Sequence, residues 1–231
     1  NDHAVNGLVV VDKPEGPTSF DVVARLRRVF GTREIGHCGT LDPLATGVLV
    51  VAVGTWTRLV RVLTADDKRY TATIAFGTST TTDDREGDVL ERSDAPVDAA
   101  LVRAALARFV GPIKQRPPAF SAVHVGGERA YKKARAGEAV ELAERDVVVH
   151  AIELVAFDDA HRRAIVDVAC GKGTYIRSIA RDLGRALEIP AHLHALKRTE
   201  SGAFTLADAV KLDDVTATSL RSSASDVRGV V

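Results

Sequence analysis

One carboxylate stands apart in this chain. Asp42 lies in the run Gly36-His37-Cys38-Gly39-Thr40-Leu41-Asp42-Pro43-Leu44-Ala45-Thr46-Gly47-Val48-Leu49. Small, turn-prone residues surround it, and an apolar, β-branched stretch over 48–53 follows. Gly36, Gly39 and Gly47 let the backbone bend and approach another strand closely. Pro43 fixes the dihedral after the acid and removes one backbone donor. Such a loop can hold a lone carboxylate at the mouth of a cleft, where it serves as base or nucleophile. Taken alone, an Asp-Pro turn is more often a buried turn whose acid caps a helix or loop.

The elements that must position this loop follow from periodicity. Residues 7–11 form a short apolar strand. Thr18 and Ser19 cap a helix over 20–30, with Val22, Leu26 and Val29 at helical spacing, Arg27 and Arg28 in its last turn, and Gly31 at its end. The run 48–53 reads as a buried central strand. Residues 68–76 alternate, with Tyr70, Ala72, Ile74 and Phe76 on one face, and predict a half-buried strand. A second helix is expected over 97–110, with Leu101, Ala105 and Leu106 facing inward. The segment 111–137 reads as a long projecting loop with some local hairpin or helix. Strands over 147–157 and 164–170 precede a third helix over 174–187. The tail 219–231 reads as a linker or frayed end. The fold class is α+β, a central mixed and mostly antiparallel sheet flanked by helices.

Composition bounds the function. The chain has 231 residues and balances 31 basic against 31 acidic side chains, which argues against a generic polyanion binder. The charges are unevenly placed, however. Lys114, Arg116, Arg129, Lys132, Lys133 and Arg135 face a single acid, Glu128, in their segment. Arg25, Arg27, Arg28 and Arg33 form a second basic group, and Arg177, Arg181 and Arg185 a third. A neutral protein with one basic face can bind RNA. No apolar run reaches the ~20 residues of a membrane span, and no secretory signal opens the chain. Cys38 and Cys170 lie far apart, without zinc spacing. A reduced, cytoplasmic protein is expected. The chain opens at Asn1 and holds no methionine, as a trimmed piece of a longer protein would.

The Asp42 run resembles the signature of the TruB family of tRNA pseudouridine synthases, and five further segments resemble that family in the same order. Val10-Val11-Asp12-Lys13-Pro14 is similar to its N-terminal Lys-Pro segment, and Asp67-Lys68-Arg69-Tyr70 to its Lys-x-Tyr strand. Gly171-Lys172-Gly173-Thr174-Tyr175-Ile176-Arg177 and Leu196-Lys197-Arg198-Thr199 are similar to its Gly-Thr-Tyr-Ile-Arg and Leu-Arg-Arg motifs. The stretch from Gln115 to Tyr131 resembles an RNA-gripping thumb insertion, about 112–140. The guide-RNA-dependent relatives lack this insertion, so the resemblance is to the bacterial stand-alone type. Cys38 replaces the usual Thr or Ala, and Lys197 replaces the first Arg. The resemblance implies a catalytic domain over 1–210. Residues 211–231 would be a linker or the start of a C-terminal region. The PUA-like RNA-binding domain usual in the family is not in this chain.

What the resemblance implies chemically is isomerisation of uridine to pseudouridine, at uridine-55 in the TΨC loop of tRNA. The N1–C1′ bond breaks, the base rotates and a C5–C1′ bond forms. The reaction has no net redox change or group transfer, so no cofactor or metal is expected. Asp42 would be the catalytic carboxylate, either adding to sugar or base or removing a proton from C2′. A carboxylate held charged in an apolar cleft needs a cationic partner, and the resemblance nominates Arg177, whose planar fork suits a carboxylate. Tyr70 would stack on the flipped uridine, with Tyr175 and Leu196 lining the same pocket. His37 would contact substrate, and Lys13 would support the Asp42 loop or touch phosphate. Arg129, Lys132 and Lys133 would grip RNA phosphates, with Phe120 and Tyr131 interleaved for stacking. The partner implied is tRNA, for a monomer with no obligate protein partner.

Other chemistries fit less well. Gly171-Lys172-Gly173-Thr174 lacks the earlier glycine of a phosphate loop, since position 166 is Val. A glycosidase needs a second catalytic carboxylate, and the nearest acids, Asp66 and Asp67, look like turn residues. The alternative of another class is a non-catalytic RNA-binding or tRNA-folding module, which could lose Asp42 without harm.

Overall fold

The computed structural model describes residues 4–119, 124–125, 128–129 and 142–223. The expected contacts of Phe120, Tyr131, Lys132 and Lys133 lie outside these residues, and only the backbone of Arg129 falls within them. The chain divides into two compact units, one of residues 1–70 and 196–231, the other of residues 71–195.

The first unit is built on a central strand. Strands β1 (Gly7–Lys13), β2 (Ile35–His37) and β3 (Ala45–Val53) run through it. β3 pairs antiparallel with both β1 and β2, with Val11 opposite Leu49 and His37 opposite Val51. Val48 to Val53 are almost wholly inaccessible, as a strand covered on both faces requires. On one side, Leu8, Val10, Val48, Val50 and Ala52 pack with Cys38, Leu63 and Phe204. Helix α1 (Ser19–Phe30) lies against β2. Thr18 and Asp21 close a reciprocal capping box at its start, and Gly31 ends it at φ 64°. Val22, Val23, Leu26 and Phe30 form its buried stripe. A 3₁₀ turn over Gly54–Leu59 leads into the short helix α2 (Val60–Thr64).

The chain crosses between units within β4 (Lys68–Phe76) and again within β12 (Ala191–Ser201). In the second unit follow β5 (Thr78–Thr80), β6 (Val89–Arg92), helix α3 (Ala99–Leu106), β7 (Gly111–Gln115) and the hairpin β8 (His124–Val125) with β9 (Glu128–Arg129). Then come β10 (Arg145–Asp158), β11 (Arg163–Cys170) and helix α4 (Ile176–Leu187). Its sheet runs β4-β11-β10-β7. β10 pairs antiparallel with β11 and β7, and α3 packs on β10 and α4. After β12, the first unit is completed by β13 (Phe204–Thr205) and β14 (Val210–Lys211). β12 runs parallel to β3, and β14 parallel to β1. The α+β class with mostly antiparallel pairing is therefore observed within each unit.

Three sequence expectations need correction. Leu101 is 47% exposed; α3 starts after the Asp98 cap and turns Val102 inward in its place, beside Ala105 and Leu106, which face in as expected. Residues 111–115, expected in a loop, extend the sheet as β7, since Ile113 and Gln115 pair across to β10. The tail does not fray at 219–223, because Arg221 exchanges backbone hydrogen bonds of 2.7 and 2.8 Å with Leu8. β12 escaped the sequence reading, as its polar residues mask a strand period. Among the described residues no helix is long and apolar enough to cross a membrane, and Cys38 and Cys170 are both buried and not joined to each other.

One glycine is fixed by close approach. Gly47 sits at φ 104°, and a Cβ there would lie 2.1 Å from the carbonyl oxygen of Arg198 on β12. Gly31 has positive φ but open space around it. Gly47→Ala should destabilise the protein by about 3 kcal/mol or more, lowering Tm by roughly 6–12 °C. Gly31→Ala, strained only by its left-handed backbone, should cost about 1 kcal/mol. Thermal melting of the two variants checks the contrast, and equal losses would contradict it.

Candidate active site

The Asp42 loop has no regular structure of its own between Cys38 and Leu44. It is held from four directions within the first unit. From α1, the Ser19 hydroxyl donates to the Leu41 carbonyl at 2.9 Å and accepts from the Leu41 amide at 2.8 Å. From the turn after β1, the Gly16 amide donates to Pro43 O at 2.8 Å. From β3, Val50 O accepts from the Cys38 amide at 2.8 Å. From β12, Arg198 donates through Nε to Val48 O at 2.8 Å, through Nη2 to Gly39 O at 3.0 Å and through Nη1 to Thr40 O at 3.4 Å. Asp42 itself is half-buried, and its carbonyl accepts from the Ala45 amide at 2.9 Å. A carboxylate on so many anchors is preorganised: little motion remains to be frozen when a substrate arrives.

Lys13 is wholly buried at the end of β1. Its ammonium donates to Pro14 O at 2.8 Å, Pro17 O at 2.7 Å and Pro43 O at 3.4 Å. Three carbonyls take its three donors, so it binds the loop together instead of presenting charge to solvent. Burial pushes its pKa from 10.5 down to about 8, against the opposing pull of Asp42 and then Asp21.

His37 is half-buried on β2, and its Nδ1 is buried without a hydrogen-bond partner. Burial, and then the Arg198 charge, lower its pKa, so the ring is neutral at neutral pH. Burial raises the Cys38 thiol to about 12, which makes it packing and not a nucleophile. Tyr70 is buried on β4, and Leu196 is half-buried on β12 opposite Ala45. Tyr70 ends the chain's first pass through this unit, and Leu196 begins its second.

Tyr175 and Arg177 belong to the second unit, at the start of α4. The Gln115 side chain clamps the Tyr175 backbone, accepting from its amide at 2.8 Å and donating to its carbonyl at 3.1 Å. Ser178 reaches Arg116 O at 2.8 Å. Arg177 is buried and donates to Thr82 O at 3.2 Å. The loop that offers Thr82 is organised by Asp84, whose carboxylate accepts from Thr82 Oγ1 at 2.6 Å and from the Glu86 amide at 2.9 Å. Asp83 adopts φ 63° and pairs with Arg181 at 3.0 Å. Burial raises the pKa of Asp83 against the opposing effect of Arg181.

Sequence reasoning missed Ser19, Gln115 and Arg198 as supports of the site. Ser19 entered only as a helix cap, and Arg198 only as part of a motif. No local pattern marked Arg198 for burial, since it follows Lys197 in a strand whose burial does not alternate. Among the described residues no cluster of acids, histidines and cysteines could hold a metal.

The chain matches two family models. Residues 27–176 match the N-terminal domain of the TruB family pseudouridylate synthases, and residues 177–230 match a tRNA pseudouridylate synthase B C-terminal domain. Over 219 residues it is 53% identical to tRNA pseudouridine synthase B of Thermobifida fusca (strain YX), covering 92% of this chain and 75% of that protein. The corresponding protein of Arthrobacter sp. (strain FB24) is 49% identical over 216 residues, covering 91% and 71%. Among solved structures, a chain from a Cbf5-Nop10-Gar1 complex superposes with a TM-score of 0.70 at 32% identity, over 90% of this chain and 53% of the other. One from an H/ACA RNP bound to a substrate RNA containing 2'-deoxyuridine gives 0.68 at 29%, over 90% and 51%. The present chain thus spans about half the length of these solved chains.

The depressed Lys13 gives a pH dependence. Between pH ~8 and 10.5 the unfolded chain keeps a proton that the folded chain has released, so this group's contribution to stability rises with pH. Relative to Lys13→Met, the parent should gain up to about 3 kcal/mol across that window. Urea unfolding of both proteins at pH 7.5 and 10 measures the gain; a pH-independent gap would show an unshifted lysine.

Proposed function

Because the chain belongs to the TruB family of pseudouridylate synthases, we propose that it isomerises uridine to pseudouridine in tRNA, at uridine-55 of the TΨC loop. The observation that carries the reading is the multiply anchored Asp42 loop, built around a single carboxylate. The uridine must leave its stack to be reached, at a cost of a few kcal/mol. Stacking on Tyr70 returns about 1–3 kcal/mol, and Leu196 and Tyr175 bound the base. Asp42 then acts as the ionised carboxylate, by addition or by removing the C2′ proton. The base rotates, C5 bonds to C1′, and the hydrogen at C5 leaves as a proton. Arg177 is the cation that the family pattern assigns to keep the acid charged. His37, neutral, contacts the substrate without serving as base. Lys13 supports the loop, a role its three carbonyl bonds favour over phosphate contact. A catalytic domain spans 1–210, and 211–231 are a linker or the start of a C-terminal region. The protein works in the cytoplasm as a monomer without an obligate protein partner, and Arg129, Lys132 and Lys133 grip the tRNA backbone.

Tritium release from C5-labelled uridine in an unmodified tRNA tests the chemistry. The parent should release label, and Asp42→Ala and Asp42→Asn should lower the rate by at least about 100-fold while binding tRNA almost as tightly. Equal turnover by the variants would sink the assignment. Neutralising Arg129, Lys132 and Lys133 together should weaken tRNA binding and reduce its log–log salt slope by about two to three. An unchanged slope would remove these residues from the interface.

A further inference from the structure

We propose that the exposed face of α1 bearing Phe20, Arg27 and Arg28 is a second RNA contact. The base of an unpaired nucleotide would stack on Phe20, and neighbouring phosphates would bind the two guanidinium groups. The inference rests on the RNA substrate proposed above but concerns residues outside the motifs that define the site.

Phe20 is 63% exposed, although α1 has a complete buried stripe that does not need it. Its ring is not idle: the guanidinium carbon of Arg27 lies 5.8 Å from its centroid. Positions 20 and 27 are two turns apart, so they share one helix face, with Ala24 as a small residue between them. The stripe from Phe20 to Arg28 is about 12 Å long, the length of about three stacked nucleotides. Arg27 Nε is buried, beyond a phosphate's reach, but no ion pair or side-chain hydrogen bond among the described residues engages the rest of its guanidinium. Arg28 is exposed and makes neither ion pair nor side-chain hydrogen bond among the described residues. The other charges of the helix are committed: Arg25 pairs with Asp213 at 2.7 Å, and Asp21 is held in the capping box. What remains on this face is one aromatic ring and two uncompensated guanidinium groups. Planar cation beside planar ring is the combination that stacks bases and binds phosphate together. An acidic partner would be complementary in charge alone and would leave the ring without use.

The surface also shares an anchor with the carboxylate. Ser19, the residue before Phe20, is the one hydrogen-bonded to Leu41, the residue before Asp42. A strand seated on α1 therefore bears on the same rigid support as the reacting nucleotide.

The experiment is equilibrium binding of a labelled, unmodified tRNA transcript to the 231-residue chain and its variants over a range of salt. Phe20→Ala should weaken binding about fivefold or more with little change in salt slope, and Phe20→Trp should restore it. Arg28→Gln should lower the log–log salt slope by about 0.7 to 0.9. Thermal melting should be unchanged for all three, since these side chains are not core. Parent-like affinity of Phe20→Ala, with a parent-like slope for Arg28→Gln, would overturn the inference and leave the face to a protein partner. Tritium release from the parent in the same preparation separates this failure from failure of the proposed reaction.

Discussion

A buried guanidinium holds the Asp42 loop in shape. Arg198 is 1% exposed, forms no ion pair among the described residues, and spends its donors on the carbonyls of Val48, Gly39 and Thr40. A bare charge inside a protein is costly, and here backbone dipoles offset it. The arrangement is economical because the same bonds satisfy carbonyls that a loop without secondary structure would otherwise leave open. Other features follow from it: Gly47 must be glycine because the Arg198 backbone passes so close, and the neutral state of His37 is reinforced by the nearby charge.

Two kinds of support recur. One is a polar side chain that replaces a missing backbone partner, as Ser19 does for Leu41 and Gln115 for Tyr175. The other is a cation caged by carbonyls, as in Lys13 and Arg198. Both place specific geometry on elements that are themselves rigid, and neither needs the supporting group to touch substrate.

Local elements were legible in sequence where a short-range rule governs them. The Thr18 cap, the end of α1 at Gly31 and the span of β4 each depend on neighbours within a few residues. The Asp42 run was legible as a loop because its glycines and proline are local signals. Its supports were not. Ser19 reaches across 22 residues, Gln115 across 60 and Arg198 across 150 or more, and no window along the chain contains both partners. Leu101 was misread for a related reason: helical spacing names a face, but only the cap at Asp98 fixes where the helix begins and hence which face turns in.

The long reach of Arg198 has a temporal consequence. A ribosome that has made the Asp42 loop must add some 150 further residues before the arginine that braces it exists, which takes roughly 8–30 s at ordinary rates of synthesis. Until then Gly39, Thr40 and Val48 lack that partner. The nascent chain thus carries Asp42 without that brace for the whole of this interval. Contacts of such high sequence separation also form late in folding. The Asp42 loop is therefore made long before it acquires its braced shape.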